Sequence, residues 1–204
     1  NTGLYNYFMV IKKMINLLKK IIILSILLTH TGTLYSYEPG FDEWLSNFKI
    51  VSKNSGISEK TISLTFDNIK YLPKVIEYDR YQPEFYEDTF TYIKKRANKS
   101  KTNKGIKLYN RNKKFIKKVE KEFSVEKELL ISLMGIETNF GTYLGKMDII
   151  SSLATLSFDK RRSKFFTGEL LTLLKLVDEG KVNINILYGS WAGALGNFQF
   201  MPST

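Results

Sequence analysis

The segment from residue 126 to residue 141 reads EKELLISLMGIETNFG, and its spacing predicts a helix with one carboxylate on its apolar face. Glu137 follows Leu133 by four positions and Met134 by three, which places the three side chains on one side of a helix. A carboxyl group among apolar side chains is harder to ionise than one in water, so it can keep a proton and act as a general acid. A glutamate on such a face can also be purely structural, so this helix alone leaves both interpretations open.

A second segment, residues 189–204 (GSWAGALGNFQFMPST), places three glycines within eight positions. Such a density disfavours a core helix and favours a tight loop whose backbone approaches a ligand closely. The lysine that follows the last glycine of a phosphate-binding loop is missing here. Ser190 and Gln199 offer neutral hydrogen-bonding groups. The rings of Trp191 and Phe200 add flat apolar surface, and this mixture is typical of sugar sites, with a glycine-rich packing turn as the alternative.

Outside these two segments, apolar residues recur at helical spacing along most of the chain, which predicts an all-α fold. Phe41, Trp44 and Phe48 illustrate the pattern, with steps of three and four positions. Ser58 and Asp148 are predicted N-caps, because their side chains can accept a hydrogen bond from the first turn of the following helix. No segment alternates convincingly between apolar and polar residues, as a half-buried strand would.

The same signals predict how the remaining helices begin and where they are linked. Ser124 is the predicted N-cap of the helix quoted above, and Pro83–Glu84 the first turn of an earlier helix. The lysine-rich residues 98–105 predict a polar link between two helical parts. The apolar face of the helix that follows this link is expected to consist of Phe115, Ile116, Val119 and Phe123.

The N-terminal 36 residues differ from the rest and predict a secretory leader. Lys19 and Lys20 precede the apolar run Ile21–Leu28, and a stretch of small and polar residues follows, which is the layout of a signal peptide. The apolar run is short for a bilayer span. Cleavage near Tyr37 and export to the periplasm are therefore expected, with an uncleaved membrane anchor as the alternative.

Composition excludes several kinds of catalytic site. The 204 residues contain no cysteine and a single histidine, His30, which lies in the predicted leader. Without these side chains a chain cannot build Ser-His-Asp, Cys-His or ordinary zinc sites, so proton transfer must rely on Asp, Glu, Lys or Tyr. The net charge of +11 attracts polyanions, either nucleic acid or the anionic cell envelope. A codon bias toward lysine is an equally good explanation of this charge.

Four motifs then appear in order along the chain. Residues 137–141 (ETNFG) resemble the Glu-Thr-x-x-Gly motif of the lytic transglycosylases of the membrane-bound B type. Residues 192–203 (AGALGNFQFMPS) are similar to the second motif of that family, and residues 79–85 (DRYQPEF) resemble its upstream Asp-Arg-x-Gln-Pro-Glu-Phe signature. Residues 154–158 (ATLSF) and the pair 161–162 (RR) also fit.

This resemblance covers about Phe41 to Thr204 and implies the fold of that family. The fold is all-α, with a lysozyme-like catalytic domain and an additional N-terminal helical part. The corresponding division is a leader over 1–36, an N-terminal helical part over 37–104 and a catalytic domain over 105–204. Because members of the family continue with further helices, the catalytic domain is expected to be C-terminally truncated and incomplete here.

The resemblance also implies an activity, that of a peptidoglycan lytic transglycosylase. Glu137 would be the catalytic acid and base at the β-1,4 bond between N-acetylmuramic acid and N-acetylglucosamine, and the product would be a 1,6-anhydromuramyl end. Ser190 and Gln199 match positions that line the glycan cleft and orient the acid. Arg161 and Arg162 are candidates for holding the carboxylates of the peptide stems, because guanidinium groups pair well with carboxylates.

Other expectations concern the surroundings of this site and its partners. Asp79, Arg80 and Gln82 are expected to form a structural polar cluster that joins the helical parts. Neither a cofactor nor a metal site is predicted. The expected partner is the peptidoglycan glycan strand, bound by a monomer with a peripheral membrane contact, and nucleic acid is not expected because of the leader. The alternatives are a non-catalytic peptidoglycan-binding protein and a hydrolytic muramidase.

Overall fold

In a computed structural model of the chain, residues 40–82 and 86–204 are described. The predicted leader and the predicted helix start at Pro83–Glu84 lie outside the described residues. The elements follow one another in this order: α1 (Phe41–Asn54), α2 (Glu59–Thr65), a 3₁₀ turn (Phe66–Asn68), α3 (Pro73–Arg80), α4 (Thr89–Arg96), α5 (Lys99–Phe123), α6 (Lys127–Thr138), β1 (Met147–Asp148), α7 (Ile149–Phe158), α8 (Ser163–Asp178), a 3₁₀ turn (Ile184–Ile186) and β2 (Tyr188–Gly189). The prediction of an all-α fold is confirmed for these residues, apart from the short antiparallel pairing of β1 with β2.

Helix α7 lies at the centre of the hydrophobic core, and every residue from 149 to 157 is buried. It packs against α8, whose Leu170 and Leu173 are fully buried, and against α1 and α3. The hydroxyl groups of α7 connect the helix to the segment between α2 and α3: Ser151 Oγ accepts the N–H of Lys70 at 3.1 Å, and Thr155 Oγ1 accepts that of Leu72 at 3.0 Å. Ser151 and Thr155 can therefore occupy a buried helix, because their hydroxyl groups are hydrogen-bonded, whereas the buried Ser152 Oγ has no hydrogen-bond partner among the described residues.

Two predicted N-caps are confirmed. Ser58 accepts the N–H of Thr61 at the start of α2, and Asp148 accepts that of Ser151 at 2.6 Å at the start of α7. Asp178, the last residue of α8, adds a tertiary contact, because it accepts hydrogen bonds from the hydroxyl groups of Ser58 and Thr61. These hydrogen bonds lower the pKa of the Asp178 carboxyl, with the Ser58 hydroxyl as the largest cause. The start of α2 is thereby joined to the end of α8.

Three predictions about the middle of the chain are wrong. The expected polar link at 98–105 is helical from Lys99, because the Asn98 side chain caps α5 by accepting the N–H of Lys101 at 3.0 Å. Ser124 does not cap α6 but ends α5 in the left-handed region, with a φ of 53°. The expected apolar face of α5 is wrong for Phe115 and Phe123, which are 67% and 64% exposed, whereas Ile116 is buried as expected. The division of the chain at residue 104 stays a prediction.

Helices α5 and α6 pack on each other through a ring and two glycines. A Cβ on Gly135 would lie 2.7 Å from the Phe140 ring, and one on Gly105 would lie 3.3 Å from it. The ring therefore fills the space that these glycines leave open, which fixes the end of α6 relative to α5. Within 40–82 and 86–204, no helix combines the length and the apolar character that a bilayer span needs.

Candidate active site

The candidate acid, Glu137, is the last residue but one of α6. The chain turns sharply after the helix, through three consecutive residues with positive φ: Asn139 (49°), Phe140 (63°) and Gly141 (78°). Asparagine and glycine tolerate this region, whereas phenylalanine rarely adopts it. The contacts of the Phe140 ring with Gly105 and Gly135 offset this strain, so the turn that follows the acid is held by packing.

The side chain of Glu137 is exposed, and the predicted apolar surroundings are wrong for the described residues. The reason is that α6 buries only Gly135 and Thr138, while Leu133 and Met134 are half-buried. One side of α6 meets α5 and its C-terminal end meets the glycine-rich segment, which leaves the face of Glu137 open. The carboxylate is consequently accessible to a ligand as large as a polymer.

Thr138 connects the end of α6 to the glycine-rich loop, which is defined here as residues 189–200. Its hydroxyl lies 2.8 Å from the carbonyl oxygen of Asn197, to which it donates, and it accepts the N–H of Gly141 at 2.9 Å. A Cβ on Gly141 would lie 2.8 Å from Asn197 Oδ1. Gly141 is thus needed for the close approach of the loop.

The two predicted glycan-binding residues shape the loop itself. Ser190 Oγ accepts the N–H groups of Ala192 at 3.3 Å and Ala194 at 2.9 Å. Gln199 has a φ of 48°, and its side-chain amide donates to the carbonyl of Gly196 at 2.9 Å. The same amide lies 3.3 Å from the carbonyl of Leu144, in the segment that follows the acid.

Gln199 therefore connects the loop to the acid's own segment. Neither Ser190 nor Gln199 forms a hydrogen bond with the carboxylate of Glu137, although all three residues are described. Their roles in binding a glycan and in orienting the acid stay predictions.

The glycines in the loop, and Gly145, which packs against it, have two different uses. A Cβ on Gly145 would lie 2.0 Å from the carbonyl oxygen of Gly189, and a Cβ on Gly193 would lie 2.4 Å from the side chain of Leu153. These positions serve close packing of backbone against the core, as the alternative interpretation of the segment held. Gly196 has a φ of 75° and open space around its Cα, so it serves the turn and remains accessible from outside.

Exposed aromatic rings lie on the chain segments next to the acid and the loop. Tyr143, whose N–H bonds to the carbonyl of Thr138 at 3.0 Å, is 64% exposed. Phe200 is 50% exposed and stacks on Phe198 with ring centroids 6.0 Å apart. Tyr143 was not among the predicted site residues, although its position two residues after the Glu-Thr-x-x-Gly motif was the available signal. Flat rings of this kind can stack on sugar rings.

Arg161 and Arg162 surround a buried carboxylate. Asp79 is 1% exposed, Arg161 donates to its carboxylate at 2.9 Å and to its carbonyl, and Arg162 Nη1 lies 3.4 Å from its other oxygen. Arg80 adds a bidentate pair with Asp159 at 2.8 and 3.0 Å, which lowers the pKa of the Asp159 carboxyl. The predicted structural cluster is confirmed for Asp79 and Arg80. It also engages the two arginines that were expected to hold peptide stems, and this second role stays a prediction.

Asp148 is the candidate for a second catalytic carboxylate, and one of its oxygens already forms a hydrogen bond in the protein. Asp148 is the acidic residue that next follows Glu137 in the sequence, and its Oδ1 caps α7. Within 40–82 and 86–204, no group of three or more His, Cys, Asp or Glu side chains lies close enough together to hold a metal ion. The site is therefore built around one accessible carboxylate, a fixed glycine-rich loop and exposed rings.

Comparison with proteins of known sequence agrees with this arrangement. The chain is 35% identical over 114 residues to membrane-bound lytic murein transglycosylase B of Escherichia coli, a match that covers 55% of this chain and 32% of the relative. The chain thus spans about a third of this curated relative, so what the whole relative does is not transferred to it by the match alone.

Solved structures show the same fold. SltB3 of Pseudomonas aeruginosa, in complex with NAG-NAM-pentapeptide, superposes with a TM-score of 0.77 at 30% identity, over 81% of this chain and 44% of that protein. A further structure of SltB3 holds NAG-anhNAM-pentapeptide. The lytic transglycosylase Slt35 of Escherichia coli, in complex with bulgecin A, has a TM-score of 0.67 at 29% identity, over 84% of this chain and 55% of that protein.

These likenesses confirm the resemblance that the motifs suggested and the lysozyme-like, mostly helical fold class. The family model described as "Transglycosylase SLT domain" matches residues 40–204, which is most of the chain. The chain therefore belongs to the transglycosylase SLT domain family.

Proposed function

We propose that this protein is a lytic transglycosylase that cleaves the β-1,4 bond between N-acetylmuramic acid and N-acetylglucosamine in peptidoglycan and leaves a 1,6-anhydromuramyl end. The observation that carries the proposal is the accessible carboxylate of Glu137, placed at the end of α6 beside a loop that is fixed by hydrogen bonds. An extended polymer can reach such a group, since the face of α6 that bears it is open.

The chemistry needs only one protein carboxyl group. Glu137 in its protonated form would give its proton to the glycosidic oxygen, so that the bond from that oxygen to the anomeric carbon of the muramyl sugar breaks. The C6 hydroxyl of the same sugar then attacks that carbon, and Glu137 takes the hydroxyl proton, which regenerates the acid. Ordinary glycosidases use two carboxylates, but an intramolecular hydroxyl has a very high effective concentration and replaces the second.

The occupied state of Asp148 supports this mechanism. Its carboxylate accepts the N–H of Ser151 at 2.6 Å as the N-cap of α7, so its use as a base or nucleophile would expose the start of a buried helix. The complexes of SltB3 with NAG-NAM-pentapeptide and NAG-anhNAM-pentapeptide support the same reaction for a relative. We extend that chemistry to this chain as a proposal.

The proposal assigns the surrounding residues as well. Ser190 and Gln199 would line the glycan cleft through the loop that they shape, and the exposed rings of Tyr143 and Phe200 would stack on sugars. A substrate of this kind lies outside the cytoplasmic membrane, which agrees with the predicted secretory leader and a periplasmic location. A monomer without a cofactor suffices for this chemistry, and a peripheral membrane contact is compatible with it.

A second candidate function is peptidoglycan binding without catalysis. The exposure of Glu137 favours it, because an exposed side chain that none of the described residues holds by a hydrogen bond has no fixed orientation for proton transfer. The matches cover 44% of SltB3 and 55% of Slt35, which is compatible with either function.

The test is to incubate the purified chain with intact peptidoglycan sacculi and to analyse the soluble products by mass spectrometry, beside Glu137→Gln. Anhydro-muropeptides that are absent from the variant would support both the reaction and the residue. Products heavier by one water would establish a muramidase. Binding to sacculi without soluble products, from a chain that is folded by circular dichroism, would establish the binding function instead.

A further inference from the structure

A buried carboxylate that the proposed reaction does not use lies on α8. Glu169 is 5% exposed. Its Oε1 accepts the hydroxyl of Ser203 at 2.6 Å, and its Oε2 accepts the backbone N–H of Ser203 at 3.0 Å. In the described part of the chain, no lysine or arginine forms an ion pair with it. A buried carboxylate is usually paired with a cation, whereas here both oxygens are directed to one residue at the end of the glycine-rich segment.

We propose that Glu169 is a positioning residue, which anchors the C-terminal end of the glycine-rich loop and thereby keeps the loop in place beside Glu137. The inference rests on the proposed function, because the position of the loop affects a reaction only if Glu137 acts on a glycan held there. Glu169 itself does not touch the acid and is not assigned any proton transfer.

The first part of the connection runs from Ser203 to the loop. The N–H of Thr204 donates to the carbonyl of Met201 at 2.9 Å, which closes a turn around the buried Pro202. Proline has a fixed φ and suits the second position of such a turn. The anchored Ser203 therefore fixes the whole turn, and the turn continues directly from the strand-like pair at the base of the loop.

The second part runs through that pair to the acid. The N–H of Leu195 donates to the carbonyl of Phe200 at 3.0 Å, which closes the tip of the loop, residues 196–199. Within the tip, the carbonyl of Asn197 accepts the hydroxyl of Thr138, the neighbour of Glu137 in sequence, at 2.8 Å. Only Met201 and Pro202 separate Phe200 from the anchored Ser203, so the tip has one anchor on α6 and one on α8.

The chemistry of the anchor explains why a glutamate suits this position. Hydrogen bonds to an ionised carboxylate are roughly twice as strong as neutral ones, and two of them fix both the position and the direction of Ser203. Glutamine in the same place has one accepting oxygen, and its NH₂ group would face one of the two donors. The supporting helix is rigid, since Leu170, Leu173 and Leu174 beside Glu169 are fully buried.

The first test measures the loop without any substrate. Hydrogen–deuterium exchange of the Leu195 and Thr204 amides is compared between the wild-type chain, Glu169→Gln and Ser157→Ala. Ser157 is a buried residue of α7 whose hydroxyl bonds to the Leu153 carbonyl at 2.7 Å, away from the loop. We expect the exchange rate of the two loop amides to rise about tenfold in Glu169→Gln, because a charge-assisted hydrogen bond is lost. In Ser157→Ala, their exchange rate should change only as far as the free energy of global unfolding changes.

The second test measures the consequence for the reaction. We expect kcat for anhydro-muropeptide release, corrected for the folded fraction, to fall about tenfold in Glu169→Gln and about a hundredfold in Glu169→Ala, with a smaller change in KM, because small displacements of positioning groups have effects of that order. Ser157→Ala should keep the kcat of the wild type. A residue with a structural role only would change thermal stability and leave the corrected kcat intact.

The outcomes separate this inference from the proposed function. Loop amides that exchange in Glu169→Gln as slowly as in the wild type would overturn the anchor, and so would an unchanged corrected kcat. A wild-type chain that releases no anhydro-muropeptides, but whose loop loses protection selectively in Glu169→Gln, would refute the proposed function and leave the anchor in place.

Discussion

Replacing Thr138 by valine removes one hydroxyl group from the junction between α6 and the glycine-rich loop while keeping the shape of the side chain. Thr138 is 1% exposed. Its hydroxyl donates to the carbonyl of Asn197 at 2.8 Å and accepts the N–H of Gly141 at 2.9 Å. Valine leaves both backbone groups without this partner, and it places a methyl group where a polar atom now lies.

The expected magnitude follows from these two hydrogen bonds. Each contributes about 0.5–1.5 kcal/mol net, so the free energy of unfolding should fall by about 1–3 kcal/mol. For a domain of this size, that corresponds to a decrease of about 3–10 °C in the melting temperature. The matched control is Thr172→Val on α8, where the hydroxyl donates to the Gly168 carbonyl at 2.9 Å within one helix. In this control, the free energy of unfolding should change by no more than about 0.5 kcal/mol.

The assay is denaturant unfolding followed by circular dichroism, with anhydro-muropeptide release measured on the same samples. Thr138→Val should reduce both quantities, because the hydroxyl holds the acid's helix to the loop. Equal and small effects of the two substitutions on unfolding would refute the reasoning, since they would show that Asn197 and Gly141 find other partners at no cost.

Three further predictions test the acid, the arginine cluster and the response to pH. Glu137→Gln should abolish anhydro-muropeptide release but change the unfolding free energy, measured by thermal denaturation, by less than about 0.5 kcal/mol, because the side chain is exposed. Arg161→Ala should lower the unfolding free energy by about 1–2 kcal/mol, since the half-exposed guanidinium loses its bonds to Asp79. A rise in KM confined to peptide-bearing strands would instead support its role in binding peptide stems. Hydrogen bonds from Arg80 lower the pKa of the Asp159 carboxyl in the folded chain, so their stabilisation is present above the unfolded pKa and is lost as the pH falls through the folded pKa. Asp159→Asn should therefore flatten the acid side of a plot of unfolding free energy against pH.

The parts of the fold that the sequence predicted correctly depend on neighbours along the chain. Ser58 and Asp148 cap their helices because the accepting oxygen and the donating N–H are three residues apart. The helix from Phe41 to Asn54 follows from the spacing of its apolar residues, and Gly56 follows it with a φ of 88°. Such features are local, so a single sequence contains enough information to predict them.

The incorrect predictions at the site depend on residues that are distant in sequence, whereas the helix start missed at Asn98 depends on a local cap. The burial of Glu137 could not be predicted from its own helix, because it depends on what covers the other side of α6. Gly145 lies against the backbone of Gly189, 44 positions later, and no local pattern indicates this contact. Likewise, Arg161 could not be matched to Asp79, which is separated from it by 82 positions.

The position of the C-terminal end of α6 beside the glycine-rich loop is fixed mainly by polar contacts. Helix α6 buries only Gly135 and Thr138, so the main apolar contact at its C-terminal end is that of the Phe140 ring with Gly105 and Gly135, which fixes the helix relative to α5. Its position beside the loop is instead fixed by the Thr138 hydroxyl and the Gln199 amide. The core around α7 and the site near Glu137 are thus stabilised by different interactions. Loss of a core side chain should therefore lower the population of folded protein, whereas loss of a polar contact should change the geometry of the molecules that remain folded.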